Sequence, residues 1–341
     1  NIPIARIDIF YHEETGDFRF CEFNTDGTSA MNEDRELNTA FEHSRAFQEF
    51  RRIHPLHSFE LFDTWVEEAL KLYREYAGDK EALPSVALVD FMENATTNEF
   101  LIFRERFEKK GCQTVLCDIR KLRWDGKNCL SEDGTKIDLI YRRAVTSDIL
   151  AHFDEVTDFL SAVRAGAVCL LGDFRTQIVH NKILFKILHM PETKRLLSGE
   201  EKTFIRAHVP LTISLDELDD PAYAWVKKDA YSRKDNWIIK PEDSYGSLGV
   251  HAGVELEDQE AWNRLLDESR GQHYILQQFN EPYRLPNIDL LNESTGWVST
   301  SNLTGLFVYN NKFSGIYSRI SFDKMISTQY NEMSLPTIVA G

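Results

Sequence analysis

The chain has 341 residues, of which 42% are hydrophobic, 28% charged and 12% aromatic, a globular composition that excludes disordered, collagen-like and coiled-coil classes. At about 150 residues per domain, this length predicts about two domains, or one domain with an inserted lobe. Lys plus Arg number 39 against 55 Asp plus Glu, a net charge of -16; that field repels phosphate backbones and anionic headgroups, so neither nucleic acid nor membrane is an expected partner.

Residues 1–10 alternate so that Ile2, Ile4, Arg6, Asp8 and Phe10 share a face, and residues 18–24 put Phe18, Phe20, Glu22 and Asn24 on one face. Two strands are predicted, joined through the turn chemistry of residues 13–17 as a hairpin. Because a strand begins at once after Asn1, the native chain is expected to start upstream. Residues 32–77 carry charged and aromatic side chains at helical spacing, broken by Pro55. Strands at 85–91, 113–117, 136–142 and 167–171 alternate with helices at 98–110 and 148–164, so residues 85–171 read as an alternating α/β lobe. A helix over 181–189 opens on Asn181-Lys182 after a strand. Strands at 237–240 and 250–256 flank a glycine-bearing loop; a helix at 259–268 and a strand at 274–279 follow. Residues 282–301, polar and aperiodic, are expected to form a mobile loop, and 305–321 a hairpin turning at Asn310-Asn311.

Five cysteines, Cys21, Cys112, Cys117, Cys129 and Cys169, form no C-x-x-C pair and read as thiols of a reducing cytoplasm, the expected location. No apolar run approaches the roughly 20 residues of a membrane span, and the first residues lack the basic and apolar stretches of a signal peptide.

In the N-terminal hairpin Asp8, Glu22 and Asn24 point to the same side. Carboxylates opposed across strands at about 5 Å repel by roughly 3 kcal/mol and require a cation between them. Oxygen ligands of this kind suit Mg²⁺ or Mn²⁺; a salt-bridge cluster with Arg6 is the alternative. Lys240 ends an apolar strand beside the loop Ser244-Tyr245-Gly246-Ser247-Leu248-Gly249, an arrangement that holds phosphate oxygens with backbone N–H groups and one ammonium. It lacks the Walker A spacing, and an ordinary hairpin with an exposed lysine fits as well. Lys182 lies at a helix start, where anions are favoured, or is simply solvated. Gln277 and Gln278 offer amides to an adenine edge, or one of them faces solvent. Arg319 sits on a late alternating strand, available to an oxyanion or a phosphoryl group. Arg142 and Arg143 end a lobe strand, where they would hold a substrate carboxylate or, more commonly, stand as paired surface arginines.

Taken in order, Arg6-x-Asp8, Glu22-x-Asn24, Asn181-Lys182, Lys240-Pro241 with its Ser/Gly loop, Gln277-Gln278 and Gly315-x-Tyr317-x-Arg319 resemble the synthetase domain of glutathionylspermidine synthase and its relatives, without the amidase domain. These are circularly permuted members of the ATP-grasp superfamily, in which the E-x-N strand precedes the two lysine strands. The resemblance implies an α+β or α/β chain with a permuted ATP-grasp fold. Residues 1–80 would carry the metal hairpin, 81–175 a pre-ATP-grasp-like α/β lobe, and 176–341 the lysine strands and lid.

It further implies ATP and two Mg²⁺ ions as cofactors, with Asp8, Glu22 and Asn24 as metal ligands. Lys182 and Lys240 would hold the α- and β-phosphates under a lid containing Ser244, Gly246, Ser247 and Gly249, with Gln277 and Gln278 by the adenine. Arg6 and Arg319 would meet the γ-phosphate and the tetrahedral intermediate, and Ser29 the acyl substrate. The implied reaction is ADP-forming amide synthesis from a small-molecule carboxylate, a peptide or amino acid, and an amine, a polyamine or amino acid. A small-molecule kinase and a non-catalytic nucleotide-binding module are the competing readings. Gly27 stands where the bifunctional synthase has a serine near its thiol peptide, a departure that bears on glutathione as the acid.

Overall fold

The computed structural model describes residues 2–244, 246–289, 296–327 and 330–341. Tyr245 of the Ser/Gly loop and residue Asn1 of the first predicted strand lie outside the described residues.

Three principal sheets organise the chain. In the first, Ile4–Tyr11 lies between Phe18–Asn24 and the long strand Trp297–Tyr309, which continues to Lys312–Ser321 and Met333–Leu335. The opening hairpin is thus completed by strands from the last part of the chain, as a permuted order requires. The two strands of this hairpin form where predicted, but with a bulge: Asp8 opposes Glu22 while Ile9 opposes Phe20, leaving Cys21 unmatched. The late hairpin turns at Asn310 and Asn311, with φ of 46° and 65°, the left-handed pair that a two-residue hairpin turn demands.

Residues 282–301, expected as a mobile loop, instead hold the strand Arg284–Ile288, paired antiparallel with 297–301. The strand is an edge strand bearing Pro286, whose missing N–H is tolerated there, and its weak apolar content hides its period. Residues 290–295 of that segment lie outside the described residues.

The second sheet is parallel, in the order Cys169–Leu171, Leu139–Arg142, Val86–Asp90, Thr114–Asp118, as the alternating pattern predicts. Two details differ. The strand expected at 136–142 divides, Lys136–Ile137 joining a small sheet with Cys129–Leu130 while Leu139–Arg142 enters the parallel one. The helix expected over 148–164 breaks into Thr146–Ala151 and Thr157–Arg164, because the break lets Val156 and Phe159 enter the core.

The third sheet is antiparallel: Thr212–Ser214, Tyr274–Gln278, Trp237–Pro241, His251–Ala252. The strand expected at 250–256 shrinks to two residues before a 3₁₀ turn, Gly253–Glu255. Gly253 lies against the Lys234 backbone, where a Cβ would come 1.9 Å from the carbonyl oxygen, so the chain must turn away. The helix Gln259–Glu268 forms as predicted, capped by Asp258.

Helices Met31–Glu42 and Phe62–Ala77 flank Pro55 as expected. Trp65 and Tyr309 pack with Met31, Phe103 and Tyr141 in one core that joins these helices, the parallel sheet and the late hairpin. A separate core of Ile213, Trp237, Trp262 and Leu276 lies under the third sheet.

Candidate active site

A cavity of about 610 Å³ opens where the three sheets approach one another. Arg6, Glu22 and Asn24 reach it from the first hairpin and Ser29 from the loop that follows. Lys182, Lys240, Gln277 and Gln278 line it from the third sheet and its helices, Ser244, Gly246 and Ser247 from the glycine loop, and Arg319 from the late hairpin. Of the fourteen residues singled out in sequence, only Asp8 and Gly249 are not in its wall. Asp8 lies directly behind the wall, and Gly249 packs against Pro241 and the Tyr274 hydroxyl with φ of 70°.

Asp8 is wholly buried. Arg6 donates to it from Nε at 2.9 Å and from Nη2 at 3.1 Å, Asn24 Nδ2 donates at 3.0 Å, and Arg319 Nη2 lies 2.7 Å from its Oδ2. Burial opposes its ionisation, but the Arg319 and Arg6 guanidiniums prevail and hold the carboxyl below its ordinary value. The cations that meet the Asp8 charge are therefore two guanidiniums, and its carboxylate orients both. Gly305, opposite Asp8, makes this cluster fit: a Cβ there would come 2.9 Å from Arg6 Cδ and 3.0 Å from Asp8 Oδ1. Both guanidiniums also lie over the Tyr317 ring.

Glu22 and Asn24 remain at the cavity surface, their side chains 3.5 Å apart. Among the described residues no three His, Cys, Asp or Glu side chains form a metal-binding group. Cys21, extra in the bulge, also lines the cavity; burial pushes its thiol up to about 11, so it is not a thiolate at neutral pH.

Lys182 is 4% exposed, and its Nζ donates to the Ser244 carbonyl at 2.7 Å. Burial lowers the pKa of this ammonium, a cost that the Glu22 charge only partly offsets. Lys240 is 7% exposed, and its Nζ reaches only the Cys21 carbonyl, at 3.5 Å. Two buried ammoniums facing one space, with few partners, form an anion site lacking its anion. The Ser244 hydroxyl oxygen is likewise buried without a hydrogen-bond partner, and Gly246 and Ser247 both adopt left-handed φ, a backbone run that turns amides toward a ligand.

Lys182 does stand at the start of a helix, Ile183–His189, but the helix Thr176–His180 intervenes after the preceding strand. His180, missed in sequence, lines the cavity beside Lys182. Its Nδ1 meets the Phe23 carbonyl at 3.1 Å, so that nitrogen carries the proton and Nε2 is the remaining ring nitrogen. Gln277 is buried and donates to Thr212 Oγ1 at 2.9 Å, whereas Gln278 is exposed.

Arg142 and Arg143 are not surface arginines; both are buried. Arg142 binds Asp26 at 2.5 Å and the carbonyls of Gly172 and Ala144. Arg143 pairs with Glu99, whose other oxygen accepts the backbone N–H groups of Met31 and Asn32. This explains Gly27, which has φ of 67°: a Cβ there would lie 2.6 Å from the Arg143 carbonyl oxygen, so a serine does not fit without movement. Asp90 and Asn94, at the carboxyl end of a parallel strand, were also missed, although that end of a parallel sheet is where ligands gather.

No family model and no curated protein matches the chain. Among solved structures it is similar to a glutathione synthetase-like effector from Globodera pallida, with a TM-score of 0.63 at 11% identity, over 98% of this chain and 74% of that one. It is also similar to a putative gamma-glutamylcysteine synthetase from Methylobacillus flagellatus, with a TM-score of 0.53 at 10% identity, over 98% and 80% of the two chains. At such identities the likeness concerns the fold: this chain has a mixed α/β, ATP-grasp fold.

Proposed function

We propose that the chain is an ATP-dependent ligase that joins a carboxylic acid to an amine through an acyl phosphate and releases ADP. The observation that carries this reading is the single cavity into which Lys182, Lys240, Arg6, Arg319, Glu22 and Asn24 converge from distant parts of the chain. The same residues carry the resemblance to the glutathionylspermidine synthase-like group, and the division into segments 1–80, 81–175 and 176–341 belongs to the same proposal. Its partners are a small-molecule acid and amine. Among the described residues no helix is long and apolar enough to cross a membrane; a cytoplasmic location is proposed from the cysteine usage.

The residues present fit Mg²⁺ as a partner of the nucleotide. Glu22 and Asn24 would supply oxygens, with Asp8 behind them, and no closed protein cage competes with the phosphate oxygens that Mg²⁺ commonly retains. Bound there, the metal neutralises charge on the phosphates.

The rest of the chemistry falls to side chains. Lys182 and Lys240 hold the non-transferred phosphates, their buried ammoniums stronger for lack of water. Arg6 and Arg319, fixed by Asp8 and by the Tyr317 ring, face the phosphoryl group as the substrate carboxylate oxygen attacks it and ADP leaves. The amine then attacks the acyl carbon, an amide bond forms, phosphate departs with the C–O bond broken, and the ammonium proton is released. Arg319 meets the oxyanion of that second step, and Ser29 lies at the acyl side. The 244–249 loop covers the phosphates and excludes water, which otherwise hydrolyses the acyl phosphate.

Glu22→Gln and Lys240→Ala test the assignment. Each is expected to lower ADP release by at least about 100-fold with an unchanged circular dichroism spectrum and melting curve. Near-normal turnover in either variant contradicts the phosphate-end assignment.

A further inference from the structure

Away from the phosphate end, the cavity extends between the loop 27–30 and the parallel sheet, where Glu33, Asp90, Asn94, Thr96 and Arg143 form its wall. Nothing in the proposed phosphate chemistry uses these groups. Their charges are unevenly matched. Arg143 spends one edge of its guanidinium on Glu99, while its Nε is buried without a hydrogen-bond partner. Glu33 and Asp90 have no ion-pair partner; the Asp90 carboxylate accepts only the Phe91 backbone N–H.

Burial raises the Glu33 carboxyl, with Glu99 adding to the effect, and burial holds that of Asp90 up at about 6. Both feel the Arg143 charge, so the three groups face one another across this arm. A lone anion would be repelled by two carboxylates, and a bare polycation would leave the free edge of Arg143 facing it. A molecule carrying both charges on adjacent carbons satisfies all three groups.

Resting on the ligase reading, we propose that this arm is a subsite for a zwitterionic head group, an α-amino acid or a short peptide. Its carboxylate meets Arg143 and its ammonium meets Glu33 and Asp90. Asn94 and Thr96 supply the neutral hydrogen-bonding rim. The geometry favours an amino acid over a polyamine as the substrate held here. The Glu99 contact to the start of helix Met31–Glu42 fixes Arg143 and Glu33 relative to each other, so the spacing of the two charges is set by the fold.

The test measures binding to the full chain by calorimetry, separately for an ATP analogue with Mg²⁺ and for three probe sets: the standard amino acids, their decarboxylated amines, and their deaminated acids, with spermidine as a polycation. At least one amino acid is expected to bind about tenfold more tightly than both of its truncated analogues. Glu33→Gln and Asp90→Asn, which preserve shape, are expected to erase that preference while ATP-analogue affinity is kept. Arg143→Lys is expected to weaken the deaminated acid and the amino acid alike. Tighter binding of spermidine than of any amino acid, or a preference that survives both carboxylate variants, overturns the subsite. If the amino acid binds as expected and the ATP analogue does not, the subsite stands and the ligase reading fails; the reverse result separates them in the opposite sense.

Discussion

At the scale of single residues, the site depends on one glycine that its own strand pattern does not announce. Gly305 faces Asp8 across the ladder, and the space of its missing Cβ is filled by Arg6 and Asp8. Gly305→Ala is therefore expected to displace Arg6, lowering turnover by about 10-fold or more while costing about 1–3 kcal/mol of stability. Kinetics and a urea melt of one variant check both numbers.

A second residue sets a pH dependence. Asp34 is buried beside Asn38, with its Oδ1 unpartnered, and burial raises its carboxyl to about 7 from the ordinary 3.8. The folded chain then keeps a proton that the unfolded chain releases, so this group costs stability as pH rises from about 4 to 7. Asp34→Asn is expected to be more stable than the parent at pH 8, by on the order of 2 kcal/mol, and to lose that advantage at pH 4. Equal melting temperatures at pH 8 would remove Asp34 as the source.

The charged site residues were legible because chemistry fixes their types: carboxylates beside an arginine, lysines at strand and helix ends, glycines in a loop. Arg142 and Arg143 were misread because their partners, Asp26 and Glu99, lie 116 and 44 residues away in sequence, and no local pattern reveals a buried pair of that kind.

Among elements, legibility followed periodicity. The helix Gln259–Glu268 and the turn at Asn310-Asn311 form where predicted, each having a strong local signal, an Asp cap and a left-handed Asn pair. The strand Arg284–Ile288 was hidden because only its pairing with 297–301 stabilises it. The helix Phe62–Ala77 carries Trp65 and Val66 into the core shared by the parallel sheet and the late hairpin. Trp65→Ala is expected to cost about 3–5 kcal/mol. Because that core underlies both the hairpin of Arg319 and the sheet of Asp90, the variant should also weaken nucleotide binding near its lowered melting temperature.

Across the whole molecule, the order of strands decides how the site is assembled. Ile4–Tyr11 lies between a strand that follows it directly and one that begins almost 300 residues later, so the metal-ligand hairpin cannot fold onto its sheet until the end of the chain is available. Removal of residues 330–341 would strip Met333–Leu335 from the sheet edge and the Glu332 carboxylate from beside Arg319. Such a truncation is expected to retain the parallel sheet while losing turnover, which circular dichroism and ADP release distinguish. The net charge of -16 is not spread evenly in function: the phosphate end of the cavity gathers cations from three sheets inside an acidic protein, a contrast that draws an anionic nucleotide to one place.

The most direct measurement of the central claim is Mg²⁺-dependent ADP release, with mass spectrometry of the products, from pooled carboxylic acids and pooled amines that include amino acids, peptides and polyamines. The account predicts ADP only when an acid and an amine are both present, and a product lighter by one water than the two substrates together. A product heavier by one phosphoryl group from a single pool, or no ADP from any combination, would contradict it.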